Sequence, residues 1–290
     1  ATPGTLSTLA LPLGSPSLSG VFYSSVSVSW TPLTAVSQET NAEAYRLEAS
    51  TSPDFVPVAY SSSTYNTLLG TLTVRDLAPN TSHYFRAATL NWDGTGNYVY
   101  TPATATLAAP PVQEPFTELS TDSMKVNWLA AMTPPGTLNP PDTRYFVRFS
   151  SYSDFSYFVS STTFNSHATF AGLAPNTTYY PEVTAFNRLG VPEGPYIFEP
   201  IATIAYDPVP GSYSVLGVSS VTLNWNPDPN PAGTFYTAQI SSDPGFNQTV
   251  LSSVTQSHTA TFSGLLSNTS YYLRVAAHNH TGILTAPVPI

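Results

Sequence analysis

Cysteine is absent from this chain of 290 residues. No domain is therefore stapled by a disulfide, and no thiolate serves as nucleophile or metal ligand. Charge is scarce as well: 9% of residues are charged, and 17 acidic against 8 basic side chains leave a formal net charge of −9. That balance excludes the basic surface that a nucleic acid or an anionic membrane requires, so neither is expected as a partner. No apolar run approaches the roughly twenty residues of a membrane-spanning helix, and membrane insertion is not expected either. Gly-x-Ser-x-Gly elbows, phosphate loops and Arg-Gly-Asp tripeptides do not occur. The commonest hydrolase, nucleotide-binding and adhesion signatures are thereby removed.

What remains is Ser, Thr, Asn, Pro, Tyr and small apolar residues, with 41% hydrophobic and 13% aromatic residues. Arranged in alternating runs, these imply packed sheets rather than disorder. Val26, Val28 and Trp30 alternate with Ser25, Ser27 and Ser29, the period of a half-buried strand. Met124, Val126 and Trp128 repeat the pattern, and so do Val221, Leu223 and Trp225. The three tryptophans Trp30, Trp128 and Trp225 are the expected core anchors.

The recurrence is that of a repeat of about 97 residues. Thr8-Leu9-Ala10 returns as Thr106-Leu107-Ala108 and as Thr203-Ile204-Ala205, each at one fixed interval before its tryptophan. A later phrase is more specific: Leu77-Ala78-Pro79-Asn80-Thr81, then Leu173-Ala174-Pro175-Asn176-Thr177, then Leu265-Leu266-Ser267-Asn268-Thr269, each leading into an aromatic strand. These features resemble the fibronectin type III domain, a seven-stranded sandwich with a tryptophan on its second strand and a tyrosine corner before its sixth. The resemblance implies an all-β chain of three tandem fibronectin type III-like (immunoglobulin-like) β-sandwiches. The expected divisions are 1–11, an N-terminal strand; 12–110 and 111–207, two complete units; and 208–290, an incomplete third. His83 stands where Tyr179 and Tyr271 form the corner, which puts that unit's corner bond in question. Pro181 within a strand implies a bulge or irregular pairing.

The surplus Thr-Leu-Ala phrase at the front, set against a short tail after Asn279, leads to an assembly expectation. Most of the third unit's last strand is expected to be lost, which exposes strand edge and core at Tyr271, Leu273, Val275, Ala277, Ile283, Val288 and Ile290. The expected donor is the front segment, with Thr5, Leu6, Leu9 and Leu11 entering the next identical subunit by β-strand addition. Such a contact does not close on itself and yields a head-to-tail, pilus-like filament. The alternatives are a spacer, adhesion or carbohydrate-binding array cropped from a larger secreted or surface protein. Either way the expected location is extracellular or at the cell surface.

Catalysis finds no constellation, and neither enzyme activity nor a cofactor is expected. His278 and His280 share a face without a third metal ligand. His167 and His258 read as equivalent Ser-His phrases of the repeat. Asp93-Gly94-Thr95-Gly96-Asn97 reads as a turn rather than a calcium loop. Five Asn-x-Ser/Thr sequons, at Asn80, Asn176, Asn247, Asn268 and Asn279, are candidate glycan sites. Outward Tyr84, Tyr180 and Tyr272 are candidates for stacking on a sugar.

Overall fold

A computed structural model describes residues 6–33, 42–129, 139–226, 229–248 and 250–290. Thr5 of the expected donor lies outside them. Every regular element among the described residues is a strand. The first unit holds β1 (Ser17–Val21), β2 (Val26–Ser29), β3 (Ala44–Ser50), β4 (Tyr60–Thr64), β5 (Thr71–Val74), β6 (Ser82–Leu90), β7 (Gly96–Tyr100) and β8 (Thr104–Ala105). The second holds β9 (Val112–Thr117), β10 (Ser123–Leu129), β11 (Arg144–Ser150), β12 (Val159–Thr163), β13 (His167–Ala171), β14 (Thr178–Phe186), β15 (Pro192–Ile197) and β16 (Ile201–Ala202). The third holds β17 (Val209–Gly217), β18 (Ser220–Asn226), β19 (Phe235–Ser241), β20 (Val250–Thr255), β21 (Thr259–Ser263), β22 (Tyr272–His278) and β23 (Val288–Pro289).

Each unit packs a three-stranded sheet on a larger one. The orders are β1-β2-β5 on β4-β3-β6-β7, β13-β10-β9 on β12-β11-β14-β15, and β17-β18-β21 on β20-β19-β22-β23. In the first two units the edge strand is split, so β8 adds to the start of β6 and β16 to the start of β14. The alternation read from the sequence is what fills the space between sheets. Val26, Val28 and Trp30 face Tyr45, Leu47 and Ala49, and the other two cores repeat this with Trp128 and Trp225. Each indole meets a tyrosine ring of the facing sheet, with centroids 5.4, 5.3 and 5.5 Å apart, the tilted geometry that aromatic quadrupoles favour.

A second aromatic motif closes each unit. Phe55, Phe155 and Phe246 adopt positive φ of 57°, 54° and 54°, a region costly for a bulky side chain. The preceding Asp54 accepts from the Ser52 hydroxyl and the Val56 amide, and Asp154 and the nearby Asp243 accept turn amides, which holds their carboxyls below the usual range. Each ring then lies under an arginine: Arg86 at 4.3 Å, Arg148 at 5.0 Å and Arg274 at 4.0 Å. Those arginines pair across the same two strands, but the polarity changes. Arg86 binds Glu48 at 2.8 Å, Arg148 binds Glu182 at 2.6 Å with the two residues exchanged between strands, and Arg274 binds neutral Gln239 at 2.7 Å.

Three expectations are corrected here. Pro181 causes no slip, since β14 and β11 keep one register through the Phe149–Pro181 pair. It lies between the segments covered by β15 and β16, and the irregularity falls one ladder away, between Val183 and Ala185. His167 and His258 are not equivalent. The amide of Trp128 bonds Ser166 whereas that of Trp225 bonds His258, so the two histidines are one residue out of register and face opposite ways. The third unit's edge is also largely covered. Val288 and Pro289 pair with Val275 and Arg274, the Ile290 amide reaches the Leu273 carbonyl, and Ile290 packs on the core. The tail closes because its apolar residues alternate onto that sheet.

Candidate functional site

Many of the polar groups buried among the described residues gather at the joints between units. At the first joint Thr106 is shared by both neighbours. Its amide bonds the Thr81 carbonyl at 3.1 Å, its hydroxyl donates to Ala78 at 2.7 Å, and the Thr81 amide donates back to that hydroxyl at 3.1 Å. Leu107 follows, with its amide on Phe22 and its carbonyl accepting from the Asn80 amide. The far side of the same segment belongs to the second unit, where Asn187 Nδ2 donates to the carbonyls of Ala105 and Thr106. Asn139 closes a two-bond ring with Ala109 at 2.7 and 2.9 Å. Ala108 packs in the second unit's core and Ala205 in the third's, so each linker packs into the core of the unit it leads into.

The second joint repeats the plan. Thr203 takes the place of Thr106 against Ala174 and Thr177, Ile204 that of Leu107, and Asn279 holds the Ala202 carbonyl as Asn187 holds Ala105. The asparagine of the Pro-Asn-Thr phrase pins each joint from below. Asn80 donates to the Thr143 hydroxyl and accepts from the Arg188 amide, and Asn176 does so with Thr234 and His280. Both asparagines sit at positive φ, 44° and 41°, which this residue tolerates best among the non-glycines. Neutral amides suit a buried joint because they offer donors and acceptors without the desolvation cost of charge.

These positions correct the glycan expectation for three sequons. Asn80, Asn176 and Asn279 are 1%, 0% and 3% exposed, and their Nδ2 atoms are occupied by the joints, so a glycan there would displace the neighbouring unit. Asn247 and Asn268 are exposed. Of the histidines, His278 bonds Thr237 while His280 spends its amide on Asn176. His83 is fully buried, with Nδ1 at 2.9 Å from the Thr81 carbonyl and Nε2 without a partner. Burial pushes its imidazole below the ordinary range. Tyr179 and Tyr271 make the corner bond instead, accepting from the amides of Ala174 and Leu266 at 2.9 Å. Tyr84 and Tyr272 are exposed on strands of separate units, and no second aromatic ring stacks on either among the described residues.

The front segment lies across the first unit as the linkers lie across the others. Asn91 Nδ2 donates to Ser7 and Thr8, Asn97 to Ala10, and Thr89 to Leu11. Leu6, Leu9 and Leu11 are exposed. At the opposite end of the chain, Gly217, Leu265, Leu266, Asn268 and Thr269 line a cleft of about 350 Å³. Of the acceptor residues expected there, Tyr271 and Leu273 are half-buried, Val275 and Ala277 are buried, and Ile283 is exposed. Composition gave no sign of Trp92, which is 82% exposed beside Asn91. Its only signal was its place one residue after the asparagine that the repeat shares.

Comparison with known proteins agrees with this architecture. A family model described as the fibronectin type III domain matches residues 109–198 and 208–289. The Drosophila melanogaster tyrosine-protein phosphatase Lar is 28% identical over 233 residues, which is 75% of this chain and 11% of that protein. The chain thus spans about a tenth of that relative's length. Among solved structures, the chicken CNTN1 FN1–FN3 domains align over 96% of this chain and 98% of theirs, with 19% identity and a TM-score of 0.33. A two-domain fibronectin type III segment of chicken tenascin aligns over 66% of this chain and 99% of its own, with 15% identity and a TM-score of 0.46.

Proposed function

The chain belongs to the fibronectin type III family, and we propose that it acts as a non-enzymatic structural array of an extracellular or cell-surface protein, holding what lies at its two ends at a fixed separation. The observation that carries this reading is the repetition of one buried joint. Thr106 and Thr203 are both fully buried, and each is bonded to the unit before it while the unit after it grips its linker. A flexible tether would instead place solvated Gly and Ser between domains. Units whose longest strands have 9 residues are about 30 Å long, so three in line span on the order of 100 Å.

Small-angle scattering tests it. The chain is expected to give a maximum dimension of about 100 Å, and Asn80→Ala combined with Asn176→Ala should broaden the distance distribution toward shorter values without unfolding any unit. A parent chain already as compact as about two unit lengths would overturn the reading. Head-to-tail joining of identical subunits into a pilus-like filament is the second reading, favoured by the cleft beside Asn268 and Thr269.

A further inference from the structure

We propose that the cleft at the far end of the third unit binds residues Leu6–Leu11 of a second copy of this chain, with Thr8 and Leu9 seated as Thr106 and Leu107 are in the first joint. This rests on the head-to-tail reading above and gives it its atoms. In both internal joints a Thr-Leu or Thr-Ile pair makes the same five bonds: to the carbonyl and amide of a threonine, to a carbonyl three residues earlier, to the asparagine amide between them, and to a carbonyl in the turn after the unit's first strand. The third unit carries every one of those partners in Thr269, Leu266, Asn268 and Gly217, and all four line the cleft. No hydrogen bond to the amides of Asn268 or Thr269 is found among the described residues.

The effect on the fold marks the place. Strand β6 starts at Ser82 and β14 at Thr178, whereas β22 starts at Tyr272, two residues after the equivalent Ser270. Those two residues are the ones that β8 and β16 order in the other units.

The segment itself is poised. In this chain Thr8 already presents its carbonyl to Asn91 and leaves its hydroxyl exposed, as Thr106 presents its carbonyl to Asn187 while its hydroxyl enters the preceding unit. Burial in the internal joints also reassigns the anchors. Thr106, Ala108, Thr203 and Ala205 are buried while Leu107 and Ile204 are only half-buried. Thr8 therefore enters the cleft, Ala10 stays against its own first unit as Ala108 and Ala205 stay in the units they lead into, and Leu9 contributes chiefly its backbone.

The rim supplies a second match. Asn268, at φ 53°, corresponds to Asn80 and Asn176. Its amide nitrogen would meet Glu43, which precedes β3 as Thr143 precedes β11. Its oxygen would meet the amide of Trp92, which stands where Arg188 and His280 stand. An exposed tryptophan at that rim is the residue type that most often dominates association.

Because the chain has no cysteine, the register can be locked cleanly. Ser7 corresponds to Ala105, which pairs with Ser82, and Ser82 corresponds to Ser270. Directly opposed residues of an antiparallel pair lie within disulfide reach. The full chain carrying Ser7→Cys and Ser270→Cys is expected to oxidise into a ladder of head-to-tail multimers on a non-reducing gel. Ser7→Cys alone should stop at dimers. In sedimentation of the cysteine-free chain, Trp92→Ala is expected to weaken self-association by about tenfold or more, and Thr8→Pro, which removes the Thr8 amide, should abolish it. A double-cysteine chain that yields no more than the single-cysteine control, or multimers that survive Thr8→Pro, would overturn the proposal. Either result would leave the length of the single chain, and so the array reading, unaffected.

Discussion

The second and third units were assembled from the same phrases, yet they close differently. In the second, Thr203 enters beside Thr177, strand β14 begins at Thr178, and Tyr179 is buried. In the third, the strand begins two residues later and Tyr271 is half-buried, although its corner bond is intact at 2.9 Å. The corner hydrogen bond is thus local and survives by itself. The order of the strand ahead of it depends on a segment that arrives from the joint. The two units also differ beneath their aromatic lids, where the Arg148–Glu182 ion pair has the neutral counterpart Arg274–Gln239.

Exchanging those polar pairs breaks the comparison most severely. Glu182→Ala leaves Arg148 without its bidentate partner on a sheet face where Glu182 is nearly inaccessible, and should destabilise the second unit by about 3 kcal/mol. Gln239→Ala removes only one bond from a neutral acceptor and should cost the third unit about 1 kcal/mol. Urea denaturation followed by the fluorescence of chains that keep a single core tryptophan reads each unit separately, and equal losses would show that the charge is immaterial. A smaller effect is expected at the joint. Thr203→Val keeps the shape but strands the Thr177 amide and the Ala174 carbonyl, at about 2 kcal/mol. Hydrogen exchange should then show Thr177 to Tyr179 opening as readily as Thr269 to Tyr271, and continued protection of the second unit would contradict the role given to Thr203.

The smallest effect sharpens the comparison through the first unit, where His83 replaces the corner tyrosine. Its folded imidazole is held below the unfolded value of about 6.5, so the folded state resists a proton that the unfolded state accepts. Stability is intact above that pH and declines as pH falls below it, by up to about 1.4 kcal/mol per pH unit until the folded group also titrates. The second and third units, with Tyr179 and Tyr271, should lack this acid sensitivity, and His83→Tyr should remove it from the first. Unit-resolved melting between pH 7 and 5 checks it, and a flat first-unit profile would rule it out.

Much of the sandwich was legible because alternation and burial share one period. Val26, Val28 and Trp30 face inward because every second residue of a strand must. The Pro-Asn-Thr phrase marked a turn correctly, but as a sequon it misled, since Asn80 and Asn176 are chosen both for their backbone conformation and for what the next unit brings against them. The histidine register failed for a similar reason: Ser-His phrases look alike in sequence, and only the ladder to the tryptophan strand counts residues between partners. The short tail was read as too small to close the third unit, because sequence length does not reveal that Val288 and Ile290 alternate onto an existing sheet.

Repeat, strand pattern and core identity therefore followed from the sequence alone, because they depend on local periodicity and on side chains that have no alternative to burial. How one unit grips the next was decided only in three dimensions. A joint is made of groups whose partners lie from 25 to 108 residues away along the chain, and nothing in Thr106 or Asn187 by itself says which unit will satisfy it.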